Sequence, residues 1–329
     1  MTELRELVLS SELEDRRELL LARGLSVPIG EGTMLGAFEG DRLVGTGSLI
    51  GSVIQGVAVE PELEGEGVAV SLISSLISRA VSLGMGHLFL FTKPSEERSF
   101  CHMGFSPVVS VEGASLLEWG RPGIEDFRSS LRAMAPGRPC GAVVVNCNPF
   151  TLGHRWLIER ASQGAEEVFV MVVEEDRSVF PFADRFRLVK EGVADLSNVR
   201  VIPSGPYVIS SATFPTYFTK GGEASSVHAS LDLKLFATRI APPLWVVRRF
   251  VGSEPICPLT GVYNRIMKET LPPLGIEVVE LRRIESGEQV VSASLVRELL
   301  SRGEMEQVRK LVPDVTWAYL VERAKKIKE

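Results

Sequence analysis

The chain has 329 residues, 45% of them hydrophobic, with 30 glycines and 19 prolines spread along its length. That is enough for two domains with their own cores, and it excludes a disordered, collagen-like or coiled-coil chain. A formal net charge of −6 and an isoelectric point near 5.5 argue against a nucleic-acid-binding surface, while leaving room for a local basic site.

The opening residues, Met1 to Asp15, are rich in charge and lack the apolar run of a leader, and nowhere is there a run long enough to span a membrane. With four scattered cysteines at 101, 140, 147 and 257, none in a Cys-x-x-Cys pair, this predicts a cytoplasmic protein without disulfides. Residues 33 to 59 alternate short apolar runs with turn residues, and Glu39-Gly40-Asp41 reads as the corner of a hairpin. Leu72, Ile73, Leu76, Ile77 and Ala80 recur at helical spacing and predict a helix from Val68 to Leu83. A strand follows at His87 to Phe91, then a short helix ending at Gly104. An antiparallel meander feeding helix, strand and helix describes an α+β domain, expected over residues 1–120. The breakers Gly120-Arg121-Pro122-Gly123 and Ala135-Pro136-Gly137-Arg138-Pro139 bracket a helix from Ile124 to Met134, and 121–139 reads as a connecting segment.

From residue 140 to 329 the rhythm changes. Gly141 to Val145 is an unbroken apolar run, as in a parallel strand buried on both faces. A helix from Leu152 to Ala161, a strand from Val168 to Val173, a helix from Phe182 to Ala194 and a strand from Val199 to Ile202 follow at short spacing. This succession predicts a doubly wound, Rossmann-like α/β domain with a parallel sheet. Further strands are expected at Phe250 to Gly252 and Glu277 to Leu281, and the tail from Ser292 reads as helical.

The strongest chemical signal is Asn146-Cys147-Asn148-Pro149-Phe150-Thr151-Leu152-Gly153-His154, directly after the first strand of this domain. A strand end that runs into a helix start is where α/β sheets bind phosphate, because the helix N-terminus offers free N–H groups and the positive end of its dipole. Thr151 and His154 are placed to reach one anion, and Gly153 allows close backbone approach. The same residues read equally as a helix cap and a surface histidine. Near the C-terminus, Ser292-Ala293-Ser294-Leu295-Val296-Arg297 opens a helix with two hydroxyls and an arginine one turn in, a pattern open to the same plain reading.

Together, Thr-x-Gly-His and Ser-x-Ser-x-x-Arg resemble the two signatures of the nucleotidylyltransferase superfamily. The stretches Asn146 to His154, Phe180 to Phe186, Ile209 to Phe218, Arg249 to Pro255, Val262-Tyr263-Asn264 and Ser292 to Arg297 are similar to the citrate lyase ligase family. The resemblance implies an enzyme that uses ATP and acetate, with Mg2+, to acetylate the thiol of a CoA-like prosthetic group on the acyl-carrier subunit of citrate lyase, releasing AMP and diphosphate. It assigns His154, Thr151 and Arg297 to catalysis. It assigns Asn148, Pro149, Phe150, Gly153, Gly252, Glu254, Ser292 and Ser294 to ATP. Arg185, Thr213 and Tyr217 are candidates for the carboxylate or phosphate neighbourhood. No metal site and no nucleic-acid or membrane partner is expected.

In the N-terminal half, Val57-Ala58-Val59-Glu60-Pro61, then Glu64-Gly65-Glu66-Gly67-Val68-Ala69, then Phe100-x-x-x-Gly104-Phe105 resemble the GCN5-related N-acetyltransferase superfamily. By that resemblance Val59, Gly65, Gly67 and Ala69 hold the CoA-like arm through backbone N–H groups. Glu64 and Glu66 depart from the pattern by placing acids beside a diphosphate, and Phe100 stands where many members carry a proton-donating tyrosine. Two other readings stay open: an adenylyltransferase acting on a pantetheine-phosphate-like acceptor, and a nucleotide-sensing partner of citrate lyase. An acyl-cysteine at Cys147 is a further option, set against the tendency of free cysteines to be small buried hydrophobes.

Overall fold

A computed structural model describes residues 2–174, 178–210, 224–254, 258–283, 285–286 and 289–326. The chain forms two compact units, Met1–Asp126 and Phe127–Glu329. No helix among the described residues is long and apolar enough to cross a membrane.

The first unit holds β1 (Glu3–Glu6), α1 (Ser10–Ala22), β2 (Thr33–Glu39), β3 (Arg42–Ile50), β4 (Val53–Val59), α2 (Val68–Ser82), β5 (His87–Thr92), α3 (Glu97–His102), β6 (Ser106–Val111) and β7 (Ala114–Gly120). They form one seven-stranded sheet in the order β1-β2-β3-β4-β5-β7-β6. The β2–β3 hairpin turns at Gly40, whose φ of +60° suits glycine. Leu72, Ile73, Leu76 and Ala80 of α2 are buried, as their spacing predicts. β2, β3 and β4 form the antiparallel meander that the alternation over residues 33 to 59 predicts. β5 joins β4 in parallel, because α2 carries the chain back across the sheet between them. These two strands pair only at Val53 with Phe89 and Ile54 with Leu90, and part beyond.

In the second unit, α4 (Ile124–Ala133), which starts at the boundary, leads to β8 (Cys140–Val145), α5 (Leu152–Gly164), β9 (Val168–Val172), α6 (Phe182–Gly192) and β10 (Val199–Pro203). α7 (Ala224–Leu235), β11 (Val246–Gly252), α8 (Pro258–Thr270) and β12 (Glu277–Leu281) complete the α/β layer. A small hairpin, β13 (Glu285–Ser286) and β14 (Gln289–Val290), precedes α9 (Ala293–Ser301), α10 (Met305–Arg309) and α11 (Asp314–Lys326). The five strands run parallel in the order β10-β9-β8-β11-β12. This is the doubly wound sheet that the strand-helix rhythm predicts.

The order of the strands reverses between β8 and β11. At such a switch point the chains leaving the two strand ends turn to opposite faces, opening a crevice outside their carboxyl ends. Val143, Val145, Ile158, Val170, Leu188 and Phe250 form the core beneath that crevice. A second cluster, built on Val296, Leu299, Val308, Leu311 and Leu320, packs the C-terminal helices together and includes Val291 and Phe180 beside the crevice loops.

Candidate active site

The loop leaving β8 turns at Cys147, φ +51°, and passes a cis Asn148–Pro149 peptide before α5 begins. Arg185, on α6, anchors it from below. Its Nη1 donates to the carbonyl and side-chain oxygens of Asn146, each at 2.8 Å, and to the Val173 carbonyl at 2.7 Å. Its Nε donates to the Phe180 carbonyl at 2.9 Å. The residue is fully buried, so its charge is spent on loop carbonyls, away from any open surface. Asn148 adds a tie, its Oδ1 accepting from the Phe180 N–H at 3.1 Å.

Thr151 caps α5. Its Oγ1 accepts from the His154 N–H at 3.4 Å, while its own N–H donates to His154 Nδ1 at 3.1 Å. A backbone N–H can only donate, so Nδ1 is unprotonated and the hydroxyl, 2.9 Å from it, donates to it as well. The neutral imidazole therefore carries its proton on Nε2, where among the described residues it has no partner. The His154 ring stacks on buried Phe150, with centroids 6.2 Å apart and planes at 20°. Burial, then Arg283 and Arg297, push its pKa down to about 4. Thus Thr151 serves as a helix cap and at the same time fixes the tautomer of His154.

The C-terminal signature reaches the same place. Ser292 caps α9 by accepting from the Leu295 N–H at 3.1 Å. Arg297 Nη1 donates to the Asn148 carbonyl at 2.5 Å and Nη2 to Ser294 Oγ at 3.0 Å. A Cβ on Gly153 would lie 2.8 Å from the carbonyl oxygen of Val291, the residue before Ser292. Glycine at 153 therefore lets the start of α5 close against the start of α9, and two capped helix N-termini meet over the end of β8.

Across the crevice, Gly252 ends β11 and its carbonyl accepts from Asn264 Nδ2 at 3.0 Å. Glu254 pairs with Arg283, which also donates from its N–H to Ser253 Oγ at 3.3 Å. Asn264 belongs to the Val262-Tyr263-Asn264 stretch of the family resemblance, whereas Arg283 is a site neighbour that sequence reasoning did not name. The one available signal was a pair of arginines, 282 and 283, just after a strand of an acidic protein.

Phe150 belongs to the core and shapes the site only by backing His154. Pro149 is buried with it. Burial pushes the Cys147 thiol far up, which removes its nucleophilic form. Thr213 and Tyr217 lie outside the described residues, as does Cys257.

In the first unit Val59 ends β4 and is buried, Gly67 caps α2 with φ +82°, Gly65 has φ +88°, and Ala69 lies in the first turn. A Cβ at either glycine would meet only open space, so the left-handed backbone is what requires glycine there. Glu64 pairs with Arg23, which turns one of the two unexpected acids toward a cation, while Glu66 stays exposed. Phe100 packs edge-on to Phe105, 6.3 Å between centroids, as an apolar residue of the core.

Comparison with known proteins adds three findings. Residues 140–320 match the model of the citrate lyase ligase C-terminal domain, and residues 2–105 match the acetyltransferase (GNAT) family. The chain is 43% identical to the citrate (pro-3S)-lyase ligase of Klebsiella pneumoniae, over 86% of this chain and 85% of the relative. It is 36% identical to the protein of the same name from Escherichia coli K12, over 94% of this chain and 91% of the relative. Among solved structures, FeeM, an N-acyl amino acid synthase from uncultured soil microbes, is 18% identical with a TM-score of 0.33, covering 39% of this chain and 94% of that one. Escherichia coli ElaA is similar at 18% identity and a TM-score of 0.33, over 36% and 99% of the two chains.

Proposed function

Because the chain belongs to the citrate lyase ligase family, we propose that it activates acetate with ATP and passes the acetyl group to the thiol of the CoA-like prosthetic group on the acyl-carrier subunit of citrate lyase. An acetate oxygen attacks the α-phosphorus, a P–O bond forms, and diphosphate leaves with the electrons of the broken one. The carrier thiolate then attacks the carbonyl carbon of the acetyl-adenylate, a thioester forms, and AMP leaves. The setting is the cytoplasm, where ATP and free thiols coexist.

The observation that carries this reading is the meeting of two capped helix N-termini, at Thr151 and Ser292, above the end of the central strand. Negative charge grows on phosphate oxygens as diphosphate departs, and donors already fixed toward it stabilise it without reorganising. His154 supplies Nε2–H as a neutral donor whose tautomer Thr151 holds. Ser294 and the N–H groups of α9 are further donors. Arg297 braces the Asn148 carbonyl and, with Arg283, keeps the field positive in a chain that is acidic as a whole. Gly252 and Glu254 border the nucleotide from β11. Arg185 acts as a positioning residue, while Thr213 and Tyr217 remain candidates for the acetate.

The described residues gather no cluster of three His, Cys, Asp or Glu side chains that would hold a metal ion. Mg2+ would come with the triphosphate as MgATP, where it would draw charge from the phosphate oxygens. In the first unit, Val59, Gly65, Gly67 and Ala69 receive the CoA-like arm at the open start of α2.

Acetate-dependent exchange of labelled diphosphate into ATP tests the proposal. Wild type supports exchange, and His154→Ala lowers its rate by about 10²–10³-fold, the usual effect of losing one preorganised donor. Exchange that proceeds without acetate, or that survives the substitution intact, refutes the assignment.

A further inference from the structure

Arg249 and Phe250 are neighbours on β11, so Arg249 faces the side of the parallel sheet away from the Phe250 core. There the second unit buries a charged network of Arg249, Asp232 on α7 and Tyr263 on α8. The Tyr263 hydroxyl donates to Asp232 Oδ2 at 2.7 Å. The Arg249 guanidinium lies over the Phe236 ring, 4.3 Å from its centroid. Burial presses that guanidinium toward losing its charge, and Tyr263 and Asp232 act against the loss.

The second oxygen of Asp232 serves the main chain: Oδ1 accepts the Ile209 N–H at 2.7 Å. Ile209 has φ +47°, a left-handed backbone that a β-branched residue rarely adopts and that its surroundings must hold in place. A buried carboxylate holds it well, because the bond is charge-assisted and burial leaves little water to compete. The chain reaches Ile209 from the carboxyl end of β10, where the Ser204 N–H donates to the Val172 carbonyl at 3.0 Å and Ser204 Oγ accepts the Glu174 N–H at 3.1 Å. That end of a parallel sheet is where an α/β fold takes its ligands. The sequence that follows, Ser210-Ser211-Ala212-Thr213-Phe214-Pro215-Thr216-Tyr217, is rich in hydroxyls and carries no charge. Hydroxyls can hold a carboxylate by donation, without the full ion pair that would blunt it as a nucleophile.

We propose that Asp232 is a positioning residue for acetate, which holds the left-handed backbone at Ile209 and so fixes where the chain enters the stretch that carries Thr213 and Tyr217. The proposal rests on the ligase reading and extends it to one substrate of the two. The groups assigned to the phosphates stand on α5 and α9, whereas Asp232 stands on α7. Arg249 shares β11 with Gly252, so a network that served the nucleotide instead would show itself in KM for MgATP.

Acetate-dependent diphosphate exchange by the full chain, with KM measured for acetate and for MgATP separately, tests this. Asp232→Ala raises KM for acetate on the order of tenfold, the scale of a lost buried hydrogen bond, and moves KM for MgATP by less than about twofold. Asp232→Asn keeps an acceptor for the Ile209 N–H, so it returns KM for acetate to within about threefold of wild type even as the missing charge beside Arg249 lowers Tm. A merely structural role would move Tm without that split between the two substrates. Should Asp232→Ala not fold, Asp232→Leu combined with Arg249→Met takes its place. Exchanging buried opposite charges for apolar residues of similar size often leaves stability intact, and the acceptor for Ile209 is still gone. Equal rises in both KM values, a rise confined to MgATP, or an unmoved KM for acetate in the variant that folds overturns the proposal. Wild type that exchanges without needing acetate overturns the ligase reading and this one with it, an outcome told apart by its appearance before any substitution is made.

Discussion

A histidine that accepts a main-chain N–H at Nδ1 has one proton left to place, on Nε2, and for His154 that proton is the one offered to phosphate. Its pKa of about 4, set by burial and then by Arg283 and Arg297, keeps the ring neutral at physiological pH. Acid therefore harms the site only when it begins to protonate Nδ1, which would break the bond from Thr151. We expect kcat/KM for ATP to show no histidine titration between about pH 6 and 8, and to fall only as pH approaches 5. Arg283→Ala removes one of the two cations and should raise the pKa of His154, read by NMR titration of its ring protons; an unmoved pKa would count against this electrostatic account. At this scale the sequence was informative where a motif orders its residues, as in Thr-x-Gly-His and Ser-x-Ser-x-x-Arg. It was silent on Arg283, whose partner Glu254 is 29 positions away. It also did not reveal that Arg185 points inward, since burial leaves no mark on a lone arginine in a helix.

Elements meet closely at Gly153, and there a single methyl group decides the geometry. In Gly153→Ala the added Cβ, 2.8 Å from the Val291 carbonyl, has a backbone atom in its way and no flexible side chain to push aside. The start of α5 must then withdraw from α9, at a cost of about 1–3 kcal/mol, typical of overpacking. We expect a lower Tm together with weaker ATP binding, measured by calorimetric titration. A variant with lower Tm and unchanged ATP affinity would detach the helix meeting from the nucleotide site. Which elements were legible follows from their surfaces. α2 shows a clean apolar stripe, with Leu72, Ile73, Leu76 and Ala80 inward. α1 hides its periodicity because two of its four buried residues are Glu12 and Arg16. α7 is concealed for the opposite reason: Leu231, Asp232 and Leu233 in succession are all buried, and a helix covered on every side has no stripe to read. β6 and β7 alternate too briefly to stand out from the loops around them.

For the molecule as a whole, the apolar clusters built among the described residues on Leu49, Leu7 and Ala37 lie within the first unit, and those built on Val143 and Val296 lie within the second. Separate cores imply separate cooperative transitions, and the titrating groups are distributed unevenly between them. His154 and His228, both with pKa lowered to about 4 by burial first, belong to the second unit. A folded pKa below the unfolded value means that between about pH 6.5 and 4 the unfolded chain binds a proton the folded one does not, so stability is lost as pH falls through that window. Each imidazole contributes about 1–2 kcal/mol of that loss by pH 5. In the first unit Glu12 is held below the ordinary carboxylate range by its bonds to Leu9, Arg5 and Val8. Its contribution is present above the usual carboxylate pKa and fades only at more acid pH. Scanning calorimetry should therefore resolve two transitions at pH 7. MgATP should raise one of them, and moving to pH 5 should lower that same transition by about 5–10 °C while the other shifts less. His154→Gln should shrink the acid shift of the ATP-sensitive transition alone. A single transition that MgATP and acid displace as a unit would show that the two cores unfold together, whatever their separate packing.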